Sequence, residues 1–141
     1  MKKSLVLTII LSAALVILAG CTKSTKSVST GKPIASTTVN NLTATLSNAT
    51  GQLKQGDQEV MLTFTDSSGK HIDVGAASLN FHMPAMGGMA AMNDSGTLTT
   101  TSTPGGYCGK VNIGMAGEWQ AQLAFEGPAG TGKATFSVTA R

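Results

Sequence analysis

Four methionines and one histidine fall within twelve residues of this 141-residue sequence. The stretch FHMPAMGGMAAM, residues 81–92, places a thioether at every third position from Met83 to Met92, and Met86 and Met89 lie between them. Thioether sulfur is a soft ligand that selects Cu(I) over hard cations, and the imidazole of His82 also suits copper. Methionine also fills irregular gaps in cores and forms adaptable contact surfaces. The stretch therefore indicates either a soft-metal site or an apolar cluster.

The alternation of the preceding residues predicts which of these side chains face the core. In ASLNFHM, residues 77–83, the large apolar side chains of Leu79, Phe81 and Met83 share one face of a strand, and His82 lies on the other. We therefore expect Met83 to pack in the core, while the glycines at 87 and 88 let the later sulfurs converge. The predicted metal ligands are His82, Met86 and Met89, with Met92 as a lesser candidate.

A cysteine adds one more lesser candidate. In YCGKVNIGM, Cys108 lies on the face opposite Tyr107, and its thiolate could join the site if that face adjoins the methionine turn. Alternatively, it is a small buried apolar residue, as lone cysteines often are. Met115 ends the inward face of the same strand and could either pack in the core or close the site from beneath.

The N-terminus has the features of a secretory signal. Two lysines precede an uncharged apolar run that ends at LAGC, residues 18–21, and this pattern resembles the lipobox of bacterial lipoproteins. The resemblance implies cleavage before Cys21, a diacylglycerol on its sulfur, and anchoring to the extracytoplasmic side of a bacterial membrane, inner or outer. The apolar run is shorter than the roughly 20 residues of a spanning helix.

Charge and composition exclude further classes. Loss of Lys2 and Lys3 with the signal leaves eight basic residues against seven acidic ones, a net charge of about +1, so no basic stripe points to nucleic acid. The sequence holds two histidines and lacks both a histidine–carboxylate cluster and a Gly-x-Ser-x-Gly motif. We therefore expect a binding protein rather than an enzyme.

Three segments follow from the pattern along the chain: a signal peptide over 1–20, a lipidated cysteine with a flexible Ser/Thr/Lys-rich tether over 21–38, and one domain over 39–141. Period-2 patterning within the domain predicts strands near residues 40–47, 58–66, 70–75, 77–83, 96–103, 106–115, 117–126 and 132–140. The expected fold is an all-β, immunoglobulin-like antiparallel β-sandwich of seven to eight short strands. Its predicted core contains Leu62, Phe64, Leu79, Phe81, Val111, Ile113, Trp119, Leu123, Phe125 and Phe136.

Residues from about 58 to 140 resemble the YtkA-like family, which is related to FixH-like proteins. The family pattern combines a Met-Pro-x-Met turn, a Gly-Tyr strand start and a Met-x-Gly-x-Trp corner. The matching residues are Met83, Pro84 and Met86, then Gly106 and Tyr107, then Met115, Gly117 and Trp119. The resemblance implies an extracytoplasmic β-sandwich linked to copper handling or to assembly of respiratory oxidases. Many relatives have a histidine after the Met-Gly pair, and its absence here favours Cu(I) over Cu(II).

Two functions are consistent with these observations, beside a third possibility, a purely structural envelope domain with neither metal nor partner. The first is a membrane-anchored lipoprotein that binds Cu(I) and delivers it to, or receives it from, a membrane protein. The second is a non-metal interaction module whose methionine-rich loop docks a membrane or envelope protein complex.

Overall fold

The computed structural model describes residues 31–141, where the chain is all β. Its strands are β1 Lys32–Val39, β2 Leu42–Asn48, β3 Gly56–Thr65, β4 Ala76–Met83, β5 Met92–Thr100, β6 Gly106–Ile113, β7 Gly117–Gly127 and β8 Gly130–Ala140. This architecture confirms the predicted antiparallel β-sandwich. The described residues include no helix able to cross a membrane. The predicted signal peptide and Cys21 lie outside these residues.

Alternation of side chains builds the strands. In β7, Trp119, Ala121 and Leu123 are buried, while the intervening Gln120 and Gln122 are exposed. This period of two allows each strand to cover the core with one face and to meet solvent with the other. Nine of the ten predicted core residues are buried; Phe136 is half-buried and packs against the core.

The strands form one continuous antiparallel order, β1-β2-β3-β6-β5-β4-β7-β8. β5 joins the two layers because it changes partner along its length, pairing with β4 over residues 92–96 and with β6 over residues 97–100. At the opposite side, β1 packs against β8 and nearly closes the sandwich.

Three sequence predictions about segment boundaries were wrong. Residues 32–38, assigned to the tether, form most of β1, because the backbone of β2 offers them an antiparallel partner. Residues 70–75 form no strand; only His71 makes an isolated bridge, to Thr65. The fifth strand begins at Met92 rather than at residue 96.

The core has two halves, one at each end of the sandwich. Trp119, Phe81 and Met83 belong to the half beneath the β4–β5 connection. Phe64 and Tyr107 belong to the other half, where their rings meet edge to face with centroids 5.9 Å apart. We call these the methionine end and the tyrosine end.

Candidate functional site: the methionine hairpin

The β4–β5 connection is a tight hairpin built on two glycines. Met86 and Met89 exchange both backbone hydrogen bonds, with N–O distances of 3.2 and 2.8 Å. Gly87 and Gly88 between them have φ angles of 52° and 93°. Positive φ at both central positions is the signature of a type I′ turn, which glycine adopts without steric cost. We call residues 84–91 the methionine hairpin.

The hairpin brings two thioethers together at the surface. Met86 and Met89 are opposite each other in the ladder, so their side chains share one face with Cβ atoms about 5 Å apart. They are the exposed large hydrophobic residues of the described chain, with 58% and 50% of their surfaces accessible. Two of the predicted ligands are therefore neighbours and open to solvent.

Met83 and Met92 form a second pair, which faces inward. They are cross-strand partners where β4 meets β5. Met83 is 3% exposed, which confirms its predicted place in the core, and Met92 packs half-buried against the same core. A Cβ placed on Gly117 would lie 2.9 Å from the methyl carbon of Met83. Met92 is therefore a packing residue here and does not join the exposed pair.

Met115 also contributes to the core beneath the hairpin. Its side chain is half-buried against the methionine-end core. Its carbonyl oxygen accepts a hydrogen bond of 3.0 Å from Nε1 of the buried Trp119. This contact holds the β6–β7 corner in place below the hairpin.

His82 lies on the outer face of β4, between Asn93 of β5 and Gln120 of β7. Its Nδ1 is 2.8 Å from Oδ1 of Asn93. Because an amide oxygen only accepts hydrogen bonds, Nδ1 is the donor in this contact, and Nε2 has no hydrogen-bond partner within the described residues. A free ring nitrogen with the other nitrogen hydrogen-bonded is the usual arrangement of a metal-ligating histidine.

The separation of His82 from the exposed pair limits how it could share a metal. His82 and Met86 are four residues apart, an even spacing that places both on the same face of a regular hairpin. Four extended residues span about 13 Å. A shared metal would therefore require the hairpin to fold toward the outer face of β4.

Cys108 is far from this site. It lies on β6 opposite Met61 of β3 and Thr99 of β5, half-buried and outward-facing as predicted. Five residues separate it from Ile113, where β6 reaches the methionine end, a distance of roughly 17 Å along a strand. The structure does not bring Cys108 to the methionine hairpin.

The contact between His82 and Asn93 could have been predicted from the sequence, but only from the register of the hairpin and not from strand alternation alone. A two-residue turn at Gly87 and Gly88 pairs 86 with 89, and counting outward from it pairs His82 with Asn93. Hairpin register could therefore have identified Asn93 as the partner of His82.

Within residues 31–141, no three His, Cys, Asp or Glu side chains are grouped so as to hold a metal ion.

Comparison with known proteins identifies a family for the domain. The family model described as YtkA-like matches residues 36–124, more than half of the chain. Neither the curated proteins nor the solved structures contain a match. The matched residues include the methionine hairpin and the strands on both sides of it.

Proposed function

The chain belongs to the YtkA-like family, and we propose that it is a Cu(I)-binding carrier that uses the methionine hairpin as its metal site. Met86 and Met89 are the primary ligands. The proposed activity is binding and transfer, without a catalytic step.

The exposure of the two thioethers carries this proposal. Burying a methionine side chain stabilises a fold by about 1.5–3 kcal/mol, yet Met86 and Met89 remain outside while Met83 of the same stretch is buried. Exposed apolar side chains that lie together commonly mark a binding site. Because the two exposed side chains belong to paired residues and each carries a soft sulfur, Cu(I) is the ligand that their chemistry suits best.

His82 is the proposed third ligand. Its bond to Asn93 leaves Nε2 ready to coordinate, and its four-residue spacing from Met86 puts it on the side toward which the hairpin would fold. Two thioethers leave room on Cu(I) for a further soft or nitrogen donor. That donor would be His82 during storage and a side chain of the partner during transfer.

The direction of the strands bears on where the site faces. β4 runs toward the methionine hairpin, and with every neighbouring pair antiparallel, β1 runs away from it. The chain therefore enters β1 at Lys32 from the side of the hairpin. With the proposed lipid on Cys21, the hairpin would face a bacterial membrane from its extracytoplasmic side, where a copper-donating or copper-accepting membrane protein is the natural partner.

A competition titration tests the proposal. The full chain, purified in detergent under anaerobic reducing conditions, is titrated with Cu(I) against a chromophoric chelator. We expect about one equivalent to be withheld from the chelator, and we expect the Met86→Leu/Met89→Leu variant to withhold none, because leucine keeps the apolar area but removes the sulfurs. Met83→Leu is the matched control and should bind as the wild type does. Equal competition by the wild type and the double variant would contradict the proposal.

A second function is favoured by the chemistry of the whole loop. All eight residues of the methionine hairpin are exposed and none carries a polar side chain. Such a tip could dock an apolar groove of a membrane or envelope protein complex without any metal. This alternative predicts that the Met86→Leu/Met89→Leu variant keeps its partner, since leucine preserves the contact area, whereas Met86→Asp loses it.

A further inference from the structure

We propose that Met86 and Met89 form a reversible oxidation site, at which peroxide converts the two thioethers to sulfoxides and switches the methionine hairpin off. The oxidation follows from the exposure of the two side chains and does not require that copper binds, whereas its effect as a switch rests on the proposed function. Its substrate class is a two-electron oxidant, hydrogen peroxide or an organic hydroperoxide.

The six methionines of the described chain fall into three groups by the solvent exposure of their side chains: exposed, half-buried and buried. Met86 and Met89 are 58% and 50% exposed, whereas Met83, three residues from Met86, is 3% exposed. Met61, Met92 and Met115 are half-buried. Oxidation of methionine requires that the oxidant reach the sulfur, so these differences predict a strong order of reaction within one molecule.

The reaction is balanced by the oxidant itself. A lone pair of the thioether sulfur attacks one peroxide oxygen, an S–O bond forms and the O–O bond breaks. The sulfur loses two electrons, and the departing hydroxide takes up the proton given up by the oxygen now bound to sulfur and leaves as water. When the oxidant is an organic hydroperoxide, an alkoxide departs in the same way and leaves as an alcohol. The product is methionine sulfoxide, which sulfoxide reductases return to the thioether.

The position of the pair makes this modification a switch rather than damage. A Cβ added at Gly87 or Gly88 would have no neighbour within 4 Å, so the tip makes few contacts with the rest of the domain. Met86 and Met89 hold each other through backbone hydrogen bonds, which oxidation of the side chains leaves in place. The sulfoxide oxygens therefore make the tip polar and remove its soft donors while the core stays folded.

A time course with hydrogen peroxide tests the site. The full chain in detergent is sampled, digested and mapped by mass spectrometry. We expect Met86 and Met89 to gain oxygen about tenfold faster than Met83, in keeping with their exposures. Methionine sulfoxide reductase should then restore both residues. Oxidation of Met83 at the same rate as the pair, or failure of the reductase to restore the pair, would overturn the proposal.

Two further measurements complete the design. The thermal unfolding midpoint of the protein oxidised at both Met86 and Met89 should match that of the untreated protein. If the oxidised protein no longer unfolds cooperatively, oxidation damages the fold and is not a switch. Silver(I), a redox-inert substitute for Cu(I), should slow oxidation of Met86 and Met89 if they bind soft metal. If Met86 and Met89 are oxidised selectively but silver does not slow the reaction, the oxidation site is supported and the copper proposal is contradicted. The two proposals can therefore fail separately.

Discussion

Both ends of the sandwich carry glycine-rich connections, and the glycines of one connecting cluster at each end have opposite surroundings. At the tyrosine end, Gly75, Gly105 and Gly127 are pressed against backbone atoms of neighbouring segments, so a Cβ on any of them would overlap main chain. At the methionine end, a Cβ on Gly87 or Gly88 would meet nothing within 4 Å. Glycine allows close packing in the first case and a tight free turn in the second.

This difference is what we expect between an end that the fold closes with its own contacts and an end that is left free to bind a ligand. The tyrosine end is closed by the hydroxyl of Tyr107, which donates a 2.6 Å hydrogen bond to the carbonyl oxygen of Gly75. The methionine hairpin shows no comparable contact from its tip to the rest of the described chain, and its two large side chains are exposed. A binding site requires groups that the fold itself does not use, and the methionine end supplies them.

The largest expected effect comes from adding one methyl group at each end. Gly105→Ala places a Cβ against the carbonyl oxygen of Ile72 and forces alanine to a φ of 70°, so we expect a loss of about 4 kcal/mol in the free energy of unfolding. Gly88→Ala meets open space and should cost about 1 kcal/mol from its positive φ alone. Urea unfolding of both variants measures the difference. Equal losses would remove the distinction between the ends.

The inner and outer methionines give the next largest contrast. Met83→Ala opens a cavity in the core beneath the hairpin and should cost about 3 kcal/mol, as for other buried methionines. Met86→Ala removes an exposed side chain and should change the free energy of unfolding by less than about 0.5 kcal/mol. The same urea titration applies. A large loss in Met86→Ala would show that the hairpin supports the core.

Much of the fold was predictable because period-2 alternation is a local property. β7 could be assigned from Trp119, Ala121, Leu123 and Phe125, and the same phase placed Met83 in the core. β1 was not predictable in this way, because its sequence KPIASTTV holds few large apolar residues. It becomes a strand only through its pairing with β2 and its packing against β8, which are non-local contacts.

The sequence could predict which residue types form the candidate site, but not always which of those residues lie close together. The Gly87–Gly88 turn indicated that Met86 and Met89 would meet, and they do. The location of Cys108 depends instead on the order of strands in the sheet, which places β6 beside β3 and β5 and directs Cys108 toward Met61. No local pattern carries that information, so adjacency between Cys108 and the hairpin could not be judged from the sequence.

A smaller effect would show whether His82 belongs to the proposed copper site. Asn93→Ala removes the acceptor that orients the imidazole, and loss of such a partner typically weakens metal affinity about tenfold or more, or about 1.4 kcal/mol. Asn80→Ala is the matched control, because Asn80 lies on the same face of β4 but bonds to Gln122 and Ser95. Cu(I) competition should distinguish the two variants. Identical affinities would exclude His82 from the site.

The smallest effect concerns the closure of the tyrosine end. Tyr107→Phe keeps the ring against Phe64 but removes the hydrogen bond to Gly75, so we expect the free energy of unfolding at pH 7 to fall by about 1 kcal/mol. Urea unfolding measures this loss, and Cu(I) binding at the far end should be unchanged. An altered Cu(I) affinity would mean that the two ends are coupled.

The pH dependence of the same variant sharpens this last prediction. Burial, reinforced by the Asp73 carboxylate, raises the pKa of Tyr107 above its ordinary value of 10.0. Below pH 10 both the folded and the unfolded chain keep the phenolic proton, so the contribution of Tyr107 is constant. Above pH 10 the unfolded chain loses that proton first, and the free energy of unfolding of the wild type should fall. Lysines titrate alike in both proteins, so the difference between wild type and Tyr107→Phe should shrink above pH 10, and a constant difference would argue against a buried phenol.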